Sequence, residues 1–132
     1  MGKLGIVVCL VVAACASSEV RTAPFRWRPD AGVRLLTPFD PIVWDRRRFE
    51  IFWGWAYRFE AYTPAAKRKL GYYALPLLWH ERIIGWGNLT VTEGGLTCSF
   101  GYVSGRAPRD AAFRSGLEAE LGRMRTFLGV AG

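Results

Sequence analysis

Apolar and polar residues alternate from residue 57 onward, in the pattern expected of β-strands with one buried face. Turn residues separate the runs at the spacing of antiparallel hairpins, most clearly at Glu93-Gly94-Gly95. The second run is almost continuously apolar and suits a central strand, although Pro76 lacks a backbone N–H and predicts a bulge or an edge. Strands joined by short loops usually pair with their sequence neighbours. We therefore predict a four-stranded antiparallel meander made of Tyr57–Tyr62, Tyr72–Trp79, Arg82–Thr92 and Leu96–Val103.

In the first predicted strand, the alternation assigns side chains to two faces. Tyr57, Phe59 and Ala61 would share the buried face. Arg58 and Glu60 would then lie near each other on the opposite face, where their charges can interact.

A short helix is predicted before the strands. Asp45 can cap a helix at Arg46–Trp53, and Gly54 can end it. Apolar residues at i, i+3 and i+4 of this helix would form its buried stripe. These residues are Phe49, Phe52 and Trp53.

A longer amphipathic helix is predicted after the strands. It begins near Pro108 or Arg109 and ends at Leu128, with apolar residues at spacings of three and four. A helix with so wide an apolar face must lie on another layer, and the meander is the candidate. The predicted fold class is therefore α+β, with a short helix before the meander and the C-terminal helix packed on it.

The first 33 residues have a different pattern. Residues 1–18 contain one lysine, an apolar run and small residues around Cys15, which is typical of a secretory or lipoprotein signal. A misplaced start codon would produce a similar leader. The run from Leu4 to Ala14 is too short for a stable transmembrane span, since about 20 residues are needed. We interpret residues 19–33 as a linker and residues 34–132 as one β-rich domain.

Length and composition exclude several classes of protein. The chain of 132 residues is 51% hydrophobic and 22% charged, which suits one folded domain and argues against extended disorder. Three cysteines and one histidine, without a CxxC pair, give neither a disulfide framework nor a zinc site. Phosphate loops, nucleophile elbows and HExxH motifs are missing. We therefore predict no catalytic residue, no metal ligand and no cofactor.

The net charge of +7 favours an acidic partner such as nucleic acid or an anionic membrane. Most of the excess lies in residues 34–82, where the bases form two clusters. Arginines at a helix start oppose the helix dipole, so they would pair with Asp40 and Asp45 or meet a phosphate. The alternative is a solvated charged face over an aromatic core. The predicted phosphate contacts are Arg46, Arg47, Arg48, Lys67, Arg68 and Lys69. The predicted stacking residues are Tyr62, Tyr72, Tyr73 and Trp86.

Three strings of residues resemble a known family. They are LLTPFDPIVWDRRR at 35–48, YTPAAKR at 62–68 and GYYALPLL at 71–78. Together they are similar to the C-terminal part of the YcaQ-like crosslink-repair DNA glycosylases. These are winged-helix proteins that excise alkylated or crosslinked bases. The resemblance extends over roughly residues 33–128.

The resemblance implies a partner but not catalysis. In the family, tandem winged-helix units precede a β-rich domain, and the catalytic motif pairs a Gln with a Gln or Asp, whereas this sequence contains no Gln. It implies a cytoplasmic, nucleoid-associated chain that acts with the winged-helix units of a longer parent. The contact with the phosphate backbone of duplex DNA is predicted from the charge clusters and their position. Asp40 and Asp45 would orient the arginines. We expect an accessory DNA-contacting or scaffolding domain; the alternative is a small exported, lipoprotein-like binding domain anchored through Cys15.

Overall fold

The sheet has four antiparallel strands, which are hydrogen-bonded in the order in which they occur along the chain. The computed structural model describes residues 32–130, so the predicted leader and most of the predicted linker lie outside the described residues. The four-stranded meander and the α+β class are confirmed. The strands are β1 (Val33–Leu35), β2 (Ala74–Trp79), β3 (Arg82–Thr92) and β4 (Gly95–Tyr102).

One of the four predicted strands is wrong. Tyr57–Tyr62 forms no strand, and β1 takes its place in the sheet by pairing with β2. Glu60, which the alternation places on an outer face, is buried and hydrogen-bonded to a neighbouring loop instead. β1 has only three residues, which is too short for an alternating pattern to be visible. The short helical region consequently lies between β1 and β2 rather than before the whole sheet.

The sequence predicts a bulge or an edge at Pro76, and the pairing of β2 with β3 is irregular close to that residue. The register shifts between Leu77 and Leu78, one residue beyond Pro76. On β3, a Cβ atom at Gly85 would overlap with the carbonyl oxygen of Gly101 in β4. The irregular register and this close approach together let the sheet curl.

Three α-helices accompany the sheet: α1 (Pro41–Trp44), α2 (Arg46–Trp53) and α3 (Ala111–Leu128). α2 has the predicted bounds, with Asp45 as its cap and Gly54 in the left-handed conformation at its end. Phe49 is fully buried as predicted, but Phe52 is 65% exposed because α2 contacts the core only along Phe49 and Trp53. None of the helices within residues 32–130 is long and apolar enough to cross a bilayer.

The hydrophobic core has two parts, one on each face of the sheet. Leu77 of β2 packs in one cluster with Phe113 of α3. Leu78, the next residue, packs against the other cluster, which includes Phe49 of α2. β2 is therefore covered on both faces, as its continuous apolar run predicts, and the C-terminal helix packs on the meander as predicted.

Candidate nucleic-acid interface

Four basic side chains line one cleft, which has a volume of about 440 Å³. One comes from the start of α2, one from the segment after it, and two from the loop around the 3₁₀ turn Ala65–Lys67. The four are Arg46, Arg58, Lys67 and Lys69. All are exposed, and within residues 32–130 none of their side chains makes a hydrogen bond or an ion pair. We call this site the basic cleft.

A buried carboxylate, Glu60, holds the loop that carries two of these cations. Its side chain is 6% exposed, and Oε2 accepts hydrogen bonds from the N–H groups of Lys69, Leu70 and Gly71 at 2.8, 2.7 and 3.3 Å. Burial alone would raise the pKa of Glu60, but these N–H donors and the Lys69 charge together hold it below its ordinary value of 4.5. Glu60 is therefore ionised at neutral pH, and backbone donors offset much of its charge.

Three of the six predicted phosphate contacts come together. Arg46 shares the basic cleft with Lys67 and Lys69, although it lies more than twenty positions before them in sequence. Arg47 lines the neighbouring cleft. The two charge clusters seen in the sequence thus contribute to a single surface.

The remaining two predicted contacts are bound to the protein itself. A guanidinium nitrogen of Arg48 donates a hydrogen bond to the carbonyl of Pro41. Arg68 donates from Nε to the carbonyl of Thr63 at 2.7 Å, and its guanidinium lies 4.8 Å from the ring centroid of Tyr72. These contacts give both arginines a structural role.

Asp40 and Asp45 cap the two short helices. Asp40 accepts a hydrogen bond from the N–H of Ile42 at 2.9 Å. Asp45 accepts from the N–H groups of Arg47 and Arg48, both at 3.1 Å. A carboxylate at the cap also offsets the unfavourable effect of arginines in the first turn of α2.

A second cleft adjoins the basic cleft and has a volume of about 540 Å³. Phe39 and Trp44 line it with 61% and 66% of their surface exposed. The ring centroid of Phe39 lies 5.9 Å from that of Trp44 and 5.9 Å from that of Phe59. Arg46 and Phe59 line both clefts. We call this second site the aromatic cleft.

Sequence reasoning missed three residues of these clefts. The alternating pattern places Arg58 on a strand face beside Glu60, but the segment is not a strand and, of the two side chains, only that of Arg58 is exposed. Phe39 precedes α1 and Trp44 is its last residue; the cap Asp40 and the following Pro41 are a sequence signal for the start of a short helix.

The aromatic residues predicted to stack on bases lie outside both clefts. Tyr62 is 94% exposed, and Tyr72 and Tyr73 are also exposed. Trp86 is half-buried, with its ring 6.0 Å from that of Trp55.

Other reactive groups of the described residues lie elsewhere. His80 occupies the turn between β2 and β3 with a φ of 53°. Cys98 lies on β4, where burial raises the pKa of its thiol. Across residues 32–130, no group of three or more His, Cys, Asp or Glu side chains is placed to hold a metal ion. The two clefts bring together cations and aromatic rings.

Cations around one cleft and exposed rings around the next are the means by which proteins hold a nucleic-acid backbone and its bases. On this α+β scaffold the two clefts are therefore a candidate nucleic-acid interface. The profile of the family described as "DNA glycosylase AlkZ-like" matches residues 9–127. The chain belongs to this family, which confirms the resemblance found in the sequence and supports a function in DNA repair with DNA as the partner. No solved structure matches the chain.

Proposed function

We propose that the chain is an accessory domain of a winged-helix DNA glycosylase for alkylated or crosslinked DNA, and that its basic cleft contacts the phosphate backbone of duplex DNA. The observation that carries the proposal is the convergence of Arg46, Lys67 and Lys69 on one cleft, where Arg58 joins them. Cations of this kind supply most of the affinity of a protein for the DNA backbone. Contacts to phosphate position a protein on DNA without reading its sequence.

The other predicted residues support this surface. Arg47 lines the adjoining aromatic cleft and is a further candidate for phosphate contact. Arg48 and Arg68 hold the neighbouring backbone and add positive charge. Asp40 and Asp45 set the start of each helix and so orient the arginines.

The proposal assigns no base excision to these 132 residues. The family that the chain resembles hydrolyses the N-glycosidic bond with a Gln paired with Gln or Asp, and this sequence contains no Gln. A longer form with winged-helix units would supply that pair and take the damaged base out of the stack. The present domain would pack against those units and hold the adjoining DNA.

Binding to DNA implies a cytoplasmic, nucleoid-associated location for the chain. The family match begins at residue 9 and so includes Cys15 and half of the apolar leader. This overlap favours the DNA-repair interpretation over an exported domain anchored through Cys15.

The double variant Lys67→Ala/Lys69→Ala of the full chain tests the proposal. Its binding to a labelled DNA duplex would be measured by fluorescence anisotropy between about 50 and 200 mM salt. Each lost phosphate contact removes about 0.9 from the slope of log K against log salt, so we expect weaker binding and a slope shallower by about 2.

A charge-matched control is Arg109→Ala/Arg114→Ala, which removes two exposed cations near the start of α3. Equal losses in both variants would show that net charge alone matters. Unchanged affinity in the lysine variant would support the solvated-face interpretation instead.

A further inference from the structure

A contact to the duplex backbone leaves the rings of the aromatic cleft without a partner on the DNA. Phe39 and Trp44 keep most of their surface exposed although they are large and apolar. Exposed apolar patches of this kind on a folded protein mark binding sites. The faces of the bases in duplex DNA are stacked on one another, so a duplex offers no ring face to these side chains.

The two clefts together suit a ligand that carries a flat ring beside a phosphate. They adjoin each other, since Arg46 and Phe59 line both. A row of ring contacts runs from Trp44 through Phe39 and Phe59 to Tyr73, with centroid distances of 5.9, 5.9 and 5.0 Å. Each cleft has a volume within the range of about 300–1,000 Å³ that is typical of small-molecule sites.

We propose that the two clefts together bind an unpaired nucleotide of DNA, with its base in the aromatic cleft and its phosphate in the basic cleft. An unpaired nucleotide carries both groups on one sugar and has its base face accessible. Such nucleotides occur at gaps, at single-stranded ends and where a base is displaced from a damaged helix. The inference rests on the proposed function, because it takes the basic cleft to bind DNA, and it names the form of DNA that the site prefers.

The two clefts contribute in physically different ways. Stacking on an aromatic ring tolerates any base, because every base has a π-face, and it releases no counterions. The cations supply the salt dependence. Loss of a ring should therefore lower the affinity for single strands without changing the salt slope, whereas loss of cations should change both.

The test compares binding of the full chain to labelled oligodeoxythymidylate and to a duplex of the same length. We expect Phe39→Ala to weaken single-strand binding at least about fivefold and duplex binding less than about twofold. Phe39→Tyr keeps the ring and should retain the affinity of the wild type. Phe52→Ala is the matched control, because Phe52 is 65% exposed but lines neither cleft, and it should change neither affinity.

The outcomes separate this inference from the proposed function. Unchanged single-strand binding by Phe39→Ala, or equal losses on both DNAs, would overturn the inference, as would a wild-type chain that binds no single strand. If Lys67→Ala/Lys69→Ala still weakened duplex binding, the proposed function would stand and the rings would be left to a protein partner. If the lysine variant also bound normally, both would fail. Thermal unfolding of Phe39→Ala, alongside the tyrosine rescue, distinguishes a lost contact from a lost fold.

Discussion

At the scale of the residue, Glu60 helps to position two exposed cations, Lys67 and Lys69. One of its carboxylate oxygens binds three consecutive backbone N–H groups, at residues 69–71. Consecutive N–H groups that converge in this way form a concave anion site. Because residues 69–71 lie in neither a helix nor a strand, the hydrogen bonds to Glu60, together with the one from the Asn88 amide to the carbonyl of Leu70, hold the loop that carries Lys67 and Lys69. The position of surface charges thus depends on a buried charge of opposite sign.

Glu60→Gln should reduce the free energy of unfolding by about 1–3 kcal/mol near neutral pH. The amide has the same size but brings N–H donors toward backbone N–H groups and carries no charge. Urea unfolding of the full chain would measure the loss. Glu50→Gln, an exposed substitution on α2, should change the free energy by less than about 0.5 kcal/mol. Similar values for the two variants would contradict a stabilising role for the Glu60 carboxylate.

The loss of unfolding free energy in Glu60→Gln should depend on pH in one direction. The pKa of Glu60 is below its ordinary value of 4.5 in the folded chain, so the unfolded chain takes up the proton at higher pH. The stabilisation is fully present above the ordinary value and disappears as the pH falls through the lowered pKa. We expect the difference between wild type and Glu60→Gln to be steady above about pH 6 and to shrink below about pH 4. A constant difference in urea unfolding down to about pH 3 would refute this assignment.

At the scale of the element, α3 and β1 are joined through Glu120. β1 is an edge strand of three residues, and the N–H of Leu35 points away from β2. Glu120 Oε1 accepts that N–H at 2.8 Å, and Oε2 accepts two hydrogen bonds from Arg123 at 2.9 and 2.6 Å. These hydrogen bonds explain why an acidic residue is buried on the amphipathic helix α3. They also satisfy a backbone N–H at the edge strand β1, which protects the sheet edge from pairing with another chain.

Glu120→Ala is expected to cost about 2–3 kcal/mol of stability, because it leaves the Leu35 N–H without its acceptor and Arg123 without its carboxylate. Glu118→Ala makes the same change at an exposed position of the same helix and controls for helix propensity. Urea unfolding midpoints of both variants would be compared. Equal midpoints would mean that apolar packing alone holds β1 in place.

At the scale of the whole molecule, the packing of α3 and the proposed binding surface lie in different layers. α3 covers one face of the sheet, whereas both clefts are built from residues 38–70, between β1 and β2. The proposed binding surface is thus formed by short helices and loops that rest beside β2, the strand covered on both faces. This division suits a domain that positions DNA while the chemistry is done elsewhere, as we propose.

The 132-residue chain should therefore bind DNA without excising bases. Incubation with DNA that carries an alkylated purine, followed by alkaline cleavage, should reveal no strand breaks above those of a protein-free sample. A catalytically complete glycosylase would serve as the positive control. Breaks that increase with chain concentration and disappear in Lys67→Ala/Lys69→Ala would contradict the accessory role and would require a catalytic pair without Gln.

Much of the fold could be predicted from local signals. β3, β4 and the two longer helices match their predicted bounds within a few residues, because periodicity, caps and turn glycines are features of neighbouring residues. The segment Tyr57–Tyr62 alternates like a strand but has no strand beside it, whereas Val33–Leu35 has a partner but no visible pattern. A strand exists only where another strand pairs with it, and that partner can lie forty residues away.

The sequence by itself determined the fold class, the family and the two charge clusters, since these depend on composition, periodicity and contiguous motifs. Only the tertiary structure decided which cations share a cleft and that Arg58 is one of them. It also decided that Phe39 and Trp44 line the adjoining cleft. The reason is physical: these arrangements depend on contacts between residues distant in sequence, such as Glu60 with the 69–71 backbone. Such contacts cannot be predicted from patterns among neighbouring residues of the sequence.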